Sequence, residues 1–493
     1  MEIQRFIESG NLSAAEDLLR ASATKFGNDA GFDNLAGVIE AQRHQYSAAE
    51  GNFKQAIARR PKFTAAYLNL GRLYQQNSAT GGQARTRALH IYDRLLSYDP
   101  WNSEANYQSA LLLLEDRKYQ ASLLRLSRLP RTTRESAQAL SISCADYAGL
   151  GDHQKTSSAL ARFLEAPDLS EADVRQLLRG IQPVKDNDIT IAALEGFGKL
   201  QHLAVDLQRS LGLAYERLGK LNIARSKLEE LAIDHVSVQS LFDLARVAYK
   251  QKDYKGALGY LAHARDLEPD NASVHYSFGV VCLDLELLAE ARKSFEQAVK
   301  LDPQNGSYNY AVGATSLFSH DPKEAVPYFQ QYLKGNPEDT RGKLAVGIAF
   351  FRAKDYEDAI PWLDQAAQRP ETATPAHYYL GSLALQEGRL DEVLPQLQSA
   401  LKARPDYPDA LAELGQYYFV RRDYAEAEKQ LQRALKLNPD HMQANFYLLS
   451  LYARTRDPRH DIQSKRYDEL QRLRETKSQE FLRMVEVRPF EAP

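Results

Sequence analysis

The 493 residues carry 62 Lys and Arg against 65 Asp and Glu, a formal net charge of −3. No broad positive field is therefore available to grip nucleic acid or anionic lipid non-specifically. With 44% hydrophobic and 26% charged residues, 26 Gly and 20 Pro, the composition excludes collagen-like and disordered chains, and two cysteines exclude a disulfide framework or multi-cysteine zinc modules.

The N-terminal stretch MEIQRFIESGNLSAAEDLL is amphipathic and acidic, unlike a signal peptide with a basic start and an apolar stretch. No apolar run approaches the ~20 residues a membrane helix needs, so the chain reads as soluble and, as written, cytoplasmic. MEIQRF begins where the middle of a first helix is expected, which suggests that upstream residues were removed. A lost signal peptide would make the location periplasmic or secreted.

From there on the chain keeps a clock. Gly37 and Gly71 lie 34 residues apart, and Gly279, Gly313, Gly347, Gly381 and Gly415 repeat the same step. Pro269, Pro303 and Pro337, then Pro405 and Pro439, follow it too. So do Ala257, Ala291, Ala325 and Ala359, with Val393 standing in once before Ala427. Self-similarity at a fixed period marks a repeat architecture. In the unit 272–305, Phe278, Gly279 and Cys282 fall on the buried stripe of one helix, while Leu288, Ala291, Phe295 and Ala298 fall on that of a second. Pro303 cannot continue the second helix and, with Asp302 and Asn305, makes the turn to the next unit. Small residues at positions 8 and 20 are expected where the two helix backbones approach closely.

The pattern resembles the tetratricopeptide repeat, a 34-residue helix–turn–helix unit. The closest segments are AYLNLGRLY (66–74), LGLAYERLGKLNIA (211–224) and LGQYYFVRRDYAEA (414–427). Position 1 falls at residues 30, 64, 103, 137, 171, 205, 238, 272, 306, 340, 374, 408 and 442, after a half-unit at Gly10–Lys25. The resemblance implies an all-α solenoid, a right-handed superhelix of antiparallel helix pairs. The expected organisation is N-terminal repeats over 1–167, a degenerate repeat and bend over 168–204, repeats over 205–458, and a capping helix and tail over 459–493.

Departures from the pattern are informative. Asn77–Gly82 accompanies five extra residues between the two helices of the second unit and reads as a flexible loop. In the unit at 171, Leu178 replaces the position-8 glycine and Pro183–Asp188 reads as a long polar turn. The charged segment Asp461–Met484, with Ile462, Leu470 and Leu473 on its apolar side, suits a cap over the last repeat.

Little catalytic chemistry is legible. There is no phosphate-binding glycine loop and no H-E-x-x-H, and the eleven histidines show no i,i+4 pair. Cys144 and Cys282 fall on buried stripes, where cysteine acts as a small hydrophobe. No enzyme activity, cofactor or metal is expected. The resemblance instead implies a concave groove lined by positions 2, 5, 9, 12 and 13 of each first helix. Carried over, these give an aromatic ladder of Phe242, Tyr249, Tyr276, Tyr310, Phe351, Tyr378, Phe419 and Phe446, with Phe318 and Leu344, and with Arg246, Arg341 and Arg352 among the rings. Exposed aromatics with arginine are the composition of binding hot spots. The bland reading is that position 5 packs on the neighbouring unit with only a ring edge exposed.

The leading reading is thus a non-enzymatic scaffold that binds a peptide or helical segment of another protein in its groove. The alternatives are a structural spacer or self-assembling subunit and, on the rings alone, an envelope- or carbohydrate-associated subunit. The lysine and asparagine clamp of chaperone-tail receptors is missing, because Asn34 and Val38 stand at positions 5 and 9 and Glu104 and Gln108 at positions 2 and 6.

Overall fold

The computed structural model describes residues 2–26, 28–76, 82–318 and 321–474, and among them every regular element is helical. The helices alternate as first and second members of successive pairs. Twelve of the thirteen first helices begin on the residue that the 34-residue clock assigns, from Ala30–Gln42 through Gly306–Ser316 to Met442–Thr455. Side-chain caps explain that regularity. Asn102, Ser136, Asn271, Asn305 and Asp339 each precede a first helix and accept from its early N–H groups, which otherwise lack partners. The exception is Pro370–Gln386, which starts four residues early because Pro370 occupies the first helical position, where its missing N–H costs nothing.

The chain divides into two compact units, residues 1–227 and 228–493. Each has its own core. In the first, Phe53, Leu70, Tyr92 and Leu95 are fully buried; in the second, Phe329, Val346, Ala349 and Leu363 are. The segment 168–204 lies wholly within the first unit.

Within a pair, the position-8 glycine makes room for a side chain of the second helix rather than for its backbone. A Cβ on Gly37 or Gly279 would come within 2.7 or 2.6 Å of Phe53 or Phe295, while Gly347, Gly381 and Gly415 face Leu363, Leu397 and Leu431 in the same way. The expected backbone contact is therefore corrected to a ring or branched side chain lying flat on a bare helix face. In the second unit of the clock, Gly71 meets Tyr92, five residues later than usual, so the extra residues are absorbed between the helices. The loop itself, at 77–81, lies outside the described residues.

Successive pairs are tied by a second recurring device. The side chain at position 4 reaches back six residues to the carbonyl of the turn proline. Asn106, Asn309 and Asn445 donate to Pro100, Pro303 and Pro439 at 2.9–3.0 Å, and His275 contacts the Pro269 carbonyl at 2.7 Å. Position 15, between the two helices of a pair, carries a left-handed backbone throughout the described units. Gly151, Gly219 and Gly388 occupy it at φ 70–74°, but His44, Arg117, Lys252, Glu286, Lys354 and Arg422 do so as well, at φ 57–64°.

The degenerate unit keeps its helix phase with different contacts. Its first helix, Glu171–Ile181, is followed by a short 3-10 turn, Gln182–Val184, and the next helix starts at Asn187. The turn predicted over Pro183–Asp188 is thus shorter than expected. Close approach moves to Gly180, where a Cβ would lie 2.7 Å from the Ala145 Cβ.

At the far end, His460–Arg474 packs on Met442–Thr455. Leu470 is buried, and Gln463 donates to the Asn445 side chain at 2.8 Å. Ile462 is a correction, because it is 74% exposed and takes no part in the cover. Residues 475–484 of the expected cap lie outside the described residues.

Candidate protein-binding face of the second unit

The first helices of the second unit each turn one stripe into the core and leave an adjacent stripe half-covered. In Val238–Lys250, Leu241, Leu244, Ala245 and Ala248 are buried, while Phe242, Arg246 and Tyr249, spaced by four and three, are half-buried along one side. Tyr276, Tyr310, Phe318, Phe351, Tyr378 and Phe419 have the same intermediate exposure, and Phe446 is exposed at 42%. Leu344 departs from the expectation. It is buried in the core with Val346 and Phe350 and offers no surface to a ligand, because its helix is lined with apolar residues on nearly every side.

The half-covered rings are held by other rings. Tyr276 packs on Phe295 of its own unit and on Tyr308 of the next, with centroids 5.6 and 5.0 Å apart. Tyr310 lies edge-on to Phe329 and Tyr332. Phe351 meets Tyr379, Tyr378 meets Tyr407, Phe419 meets Tyr447, and Phe446 meets Tyr467 of the C-terminal helix. Such edge-on and tilted pairs add about 0.5–1.5 kcal/mol each beyond area burial and fix the ring planes. The packing and the partial exposure coexist at the same residues.

The arginines are engaged locally. Arg246 pairs with the fully buried Asp243 at 3.0 Å. Arg341 pairs at 2.9 Å with Asp339, which also caps the helix and accepts from Tyr332. Burial opposes ionisation of Asp339, but Arg341 and Tyr332 outweigh it and hold the carboxyl down to about 2. Arg352 lies over the Phe318 ring at 5.7 Å, and burial lowers its pKa.

Sequence reasoning missed two parts of this face. The partner rings Tyr308, Tyr379 and Tyr407 were not singled out, although Tyr308 sits two residues after a helix start and Tyr379 beside Tyr378. The second is an acidic cluster near the last repeats. Glu413, 3% exposed, accepts from the Ser382 hydroxyl at 2.5 Å, and Asp409 contacts His441 at 3.0 Å. Burial raises the Glu413 pKa, opposed by Ser382 and Gln443.

Among the described residues, no group of three or more His, Cys, Asp and Glu could hold a metal ion. Burial pushes the Cys144 thiol up to about 12 and that of Cys282 up to about 11, which removes the thiolate needed for reactivity.

Two family models, each described as a tetratricopeptide repeat, match the chain. One covers residues 384–453, and the other covers 34–84, 209–267, 242–306 and 317–375. Among solved structures, the chain is similar to a tetratricopeptide repeat protein from Parabacteroides merdae at 12% identity, over 50% of this chain and 98% of that one, with a TM-score of 0.41. It is also similar to the APC/C hetero-tetramer Cut9–Hcn1 (13% identity, 86% and 96% covered, TM-score 0.39) and to yeast Tom70 (15%, 89% and 99%, 0.34). No curated protein sequence matches it.

Proposed function

Because the chain belongs to the tetratricopeptide-repeat family, we propose that it is a protein-interaction scaffold whose second unit binds a segment of another protein along its half-covered aromatic stripe. The observation that carries this reading is the recurrence of a partly exposed ring on successive first helices, each fixed by a neighbouring ring. Rings already held in place lose little freedom on binding, so their burial is converted into affinity with a small ordering cost. A few such anchors supply ~2 kcal/mol or more each when they act as hot spots. Since Arg246 and Arg341 are paired with Asp243 and Asp339, the aromatic and hydroxyl groups set affinity, and charge contributes mainly to orientation.

The test is quantitative capture of partners by the full chain against two variants, with far-UV circular dichroism and melting followed in parallel. Tyr276→Ala/Tyr310→Ala/Tyr378→Ala is expected to abolish capture while helicity stays unchanged. Those tyrosines also support core rings, so Phe446→Glu, at an exposed ring, is the second variant and is expected to weaken capture with helicity unchanged and only a small fall in melting temperature, from loss of its contact with Tyr467. Full capture by both variants would overturn the reading.

A further inference from the structure

In the first unit, the second helix of the pair that begins at Ser103 departs from its counterparts. Leu288–Leu301, Leu390–Ala403 and Tyr424–Leu437 each run for 14 residues, whereas Tyr119–Ser127 runs for 9. The following first helix still starts on the clock, at Ala137, so the missing helical residues are replaced by a longer connection over 128–136. Within it, Pro130 immediately precedes the four-residue helical turn Arg131–Arg134. Leu126 and Leu129, 3% and 4% exposed, pin the connection to the core, and Arg134 donates across it to the Ser127 carbonyl at 3.3 Å. The chain here is a fixed structure that the repeat itself does not require.

Its chemistry is basic. Residues 117–134 contain six lysines and arginines and no acidic residue, in a chain whose net charge is −3. The cations at the connection outnumber the carboxylates placed against them. Arg131 and Arg162 share one oxygen of Glu135, at 3.0 and 3.7 Å, and Arg125 is answered by Asp93 at 2.6 Å. Asp168 is taken by the Ala137 N–H at 3.1 Å. Arg128 and Arg134 have no carboxylate partner among the described residues. Arg131, Arg134 and Arg162 are exposed and Arg128 is half-buried. Exposed pairs such as Arg131–Glu135 are weakly held, so their guanidinium groups stay available to an incoming carboxylate. Leu124, 57% exposed, stands one helical turn before Arg128 on the same side of the helix.

We propose that this arginine-rich connection is a docking site for an acidic segment of another protein, with Asp or Glu side chains taken by Arg128, Arg131 and Arg134 and an apolar side chain against Leu124. Guanidinium forks match carboxylates through paired hydrogen bonds, and a connection pinned by two buried leucines has little freedom to lose on binding. The patch is short, bounded by Asp93 and Glu135, and set in a chain of negative net charge. That setting repels a long polyanion such as nucleic acid or an anionic lipid surface, and favours a few carboxylates beside an apolar residue. The site lies on a second helix and the connection after it, whereas the aromatic stripe is carried by first helices of the other unit. The two share no residue.

The test uses the full chain and a labelled synthetic peptide carrying glutamates around one leucine, compared with its lysine counterpart, a labelled oligothymidylate strand and vesicles containing phosphatidylserine. Fluorescence anisotropy is expected to show saturable binding of the glutamate peptide, weakened by added salt, and no comparable binding of the lysine peptide. Arg128→Gln/Arg131→Gln/Arg134→Gln should raise the dissociation constant at least about tenfold with helicity unchanged. Leu124→Ser, at an exposed position, should raise it at least about threefold. Arg421→Gln/Arg422→Gln/Arg456→Gln removes the same charge from exposed positions of the second unit and should leave binding intact, as should the tyrosine triple variant. Equal binding of the two peptides, an unchanged constant in the Arg128 triple variant, or an equal loss in the Arg421 triple variant would overturn the proposal. So would binding of the oligonucleotide or the vesicles that is tighter than that of the peptide and lost in the Arg128 triple variant, which would assign the patch to a nucleic acid or a membrane.

Discussion

A Cβ added to Gly313 would stand 2.7 Å from Cε1 of the fully buried Phe329, closer than real side chains approach one another. Gly313→Leu must therefore push Phe329 or the helix Gly306–Ser316 aside, at a cost of about 1–3 kcal/mol. Urea and thermal midpoints are expected to fall. Because each repeat touches mainly its neighbours, hydrogen exchange should show the loss concentrated around residues 272–367 rather than across the chain. An unchanged midpoint would refute the packing role of this glycine.

Asp146 gives a pH signature. It is wholly buried in the helix Ala137–Gly149, and neither carboxyl oxygen has a hydrogen-bond partner among the described residues. The nearby Ser122 hydroxyl donates instead to the Ala110 carbonyl at 2.9 Å. Burial pushes the Asp146 pKa up from 3.8 to about 8. Between those values the folded chain holds a proton that the unfolded chain releases, so this group's contribution falls as pH rises through the window and levels off above it. Asp146→Asn keeps the shape without the charge. It should flatten the difference and stabilise the protein at pH 7.5 by at least about 1 kcal/mol. Urea midpoints of both proteins at acidic and alkaline pH measure this; parallel profiles would count against it.

The C-terminal helix covers the last pair through Leu470, Gln463 and Tyr467. Deleting residues 461–493 should expose Leu448 and the flank of Tyr447, both of which pack in the terminal core cluster. Fraying or concentration-dependent association is expected by light scattering and exchange. A truncated chain that remains monomeric with its original melting temperature would show that the helix is no cap.

Position 15 offers an opposite pair of changes. Glu286 sits at φ 64° on an exposed turn, and Gly388 at φ 74° occupies the same place in a later repeat. Glu286→Gly relieves the left-handed strain and should stabilise by about 0.5–1 kcal/mol, while Gly388→Val should cost about 1–2 kcal/mol. Thermal midpoints moving the other way would contradict the turn geometry.

The helix boundaries were legible because capping residue, glycine, alanine and proline all obey one period, and agreement among several local signals is what makes a fold readable. The role of the glycine was less so: composition says that something comes close to Gly279, but not that Phe295 lies across it. Position 15 was open to inspection through Gly151, Gly219 and Gly388, yet charged residues at the same place hid the rule, since a helix-to-helix turn tolerates the strain. The candidate face was half legible. Ring positions follow from spacing along a helix, but whether a ring is free depends on residues one repeat away, as Tyr308 does for Tyr276. Leu344 failed for the same reason, being surrounded from both sides.

Gly71 finds its ring in Tyr92 although five additional residues separate the two helices, and this bears on how the protein can vary in length. Growth inside a turn between paired helices leaves every later contact in phase, whereas one residue added within a helix would rotate its ring by about 100° away from the stripe. Beyond the turns, the array can change only in whole steps of 34. On the function proposed above, the aromatic face would then be a ruler with fixed graduations: a partner would be matched by one rung more or one rung fewer, never by a fraction of one.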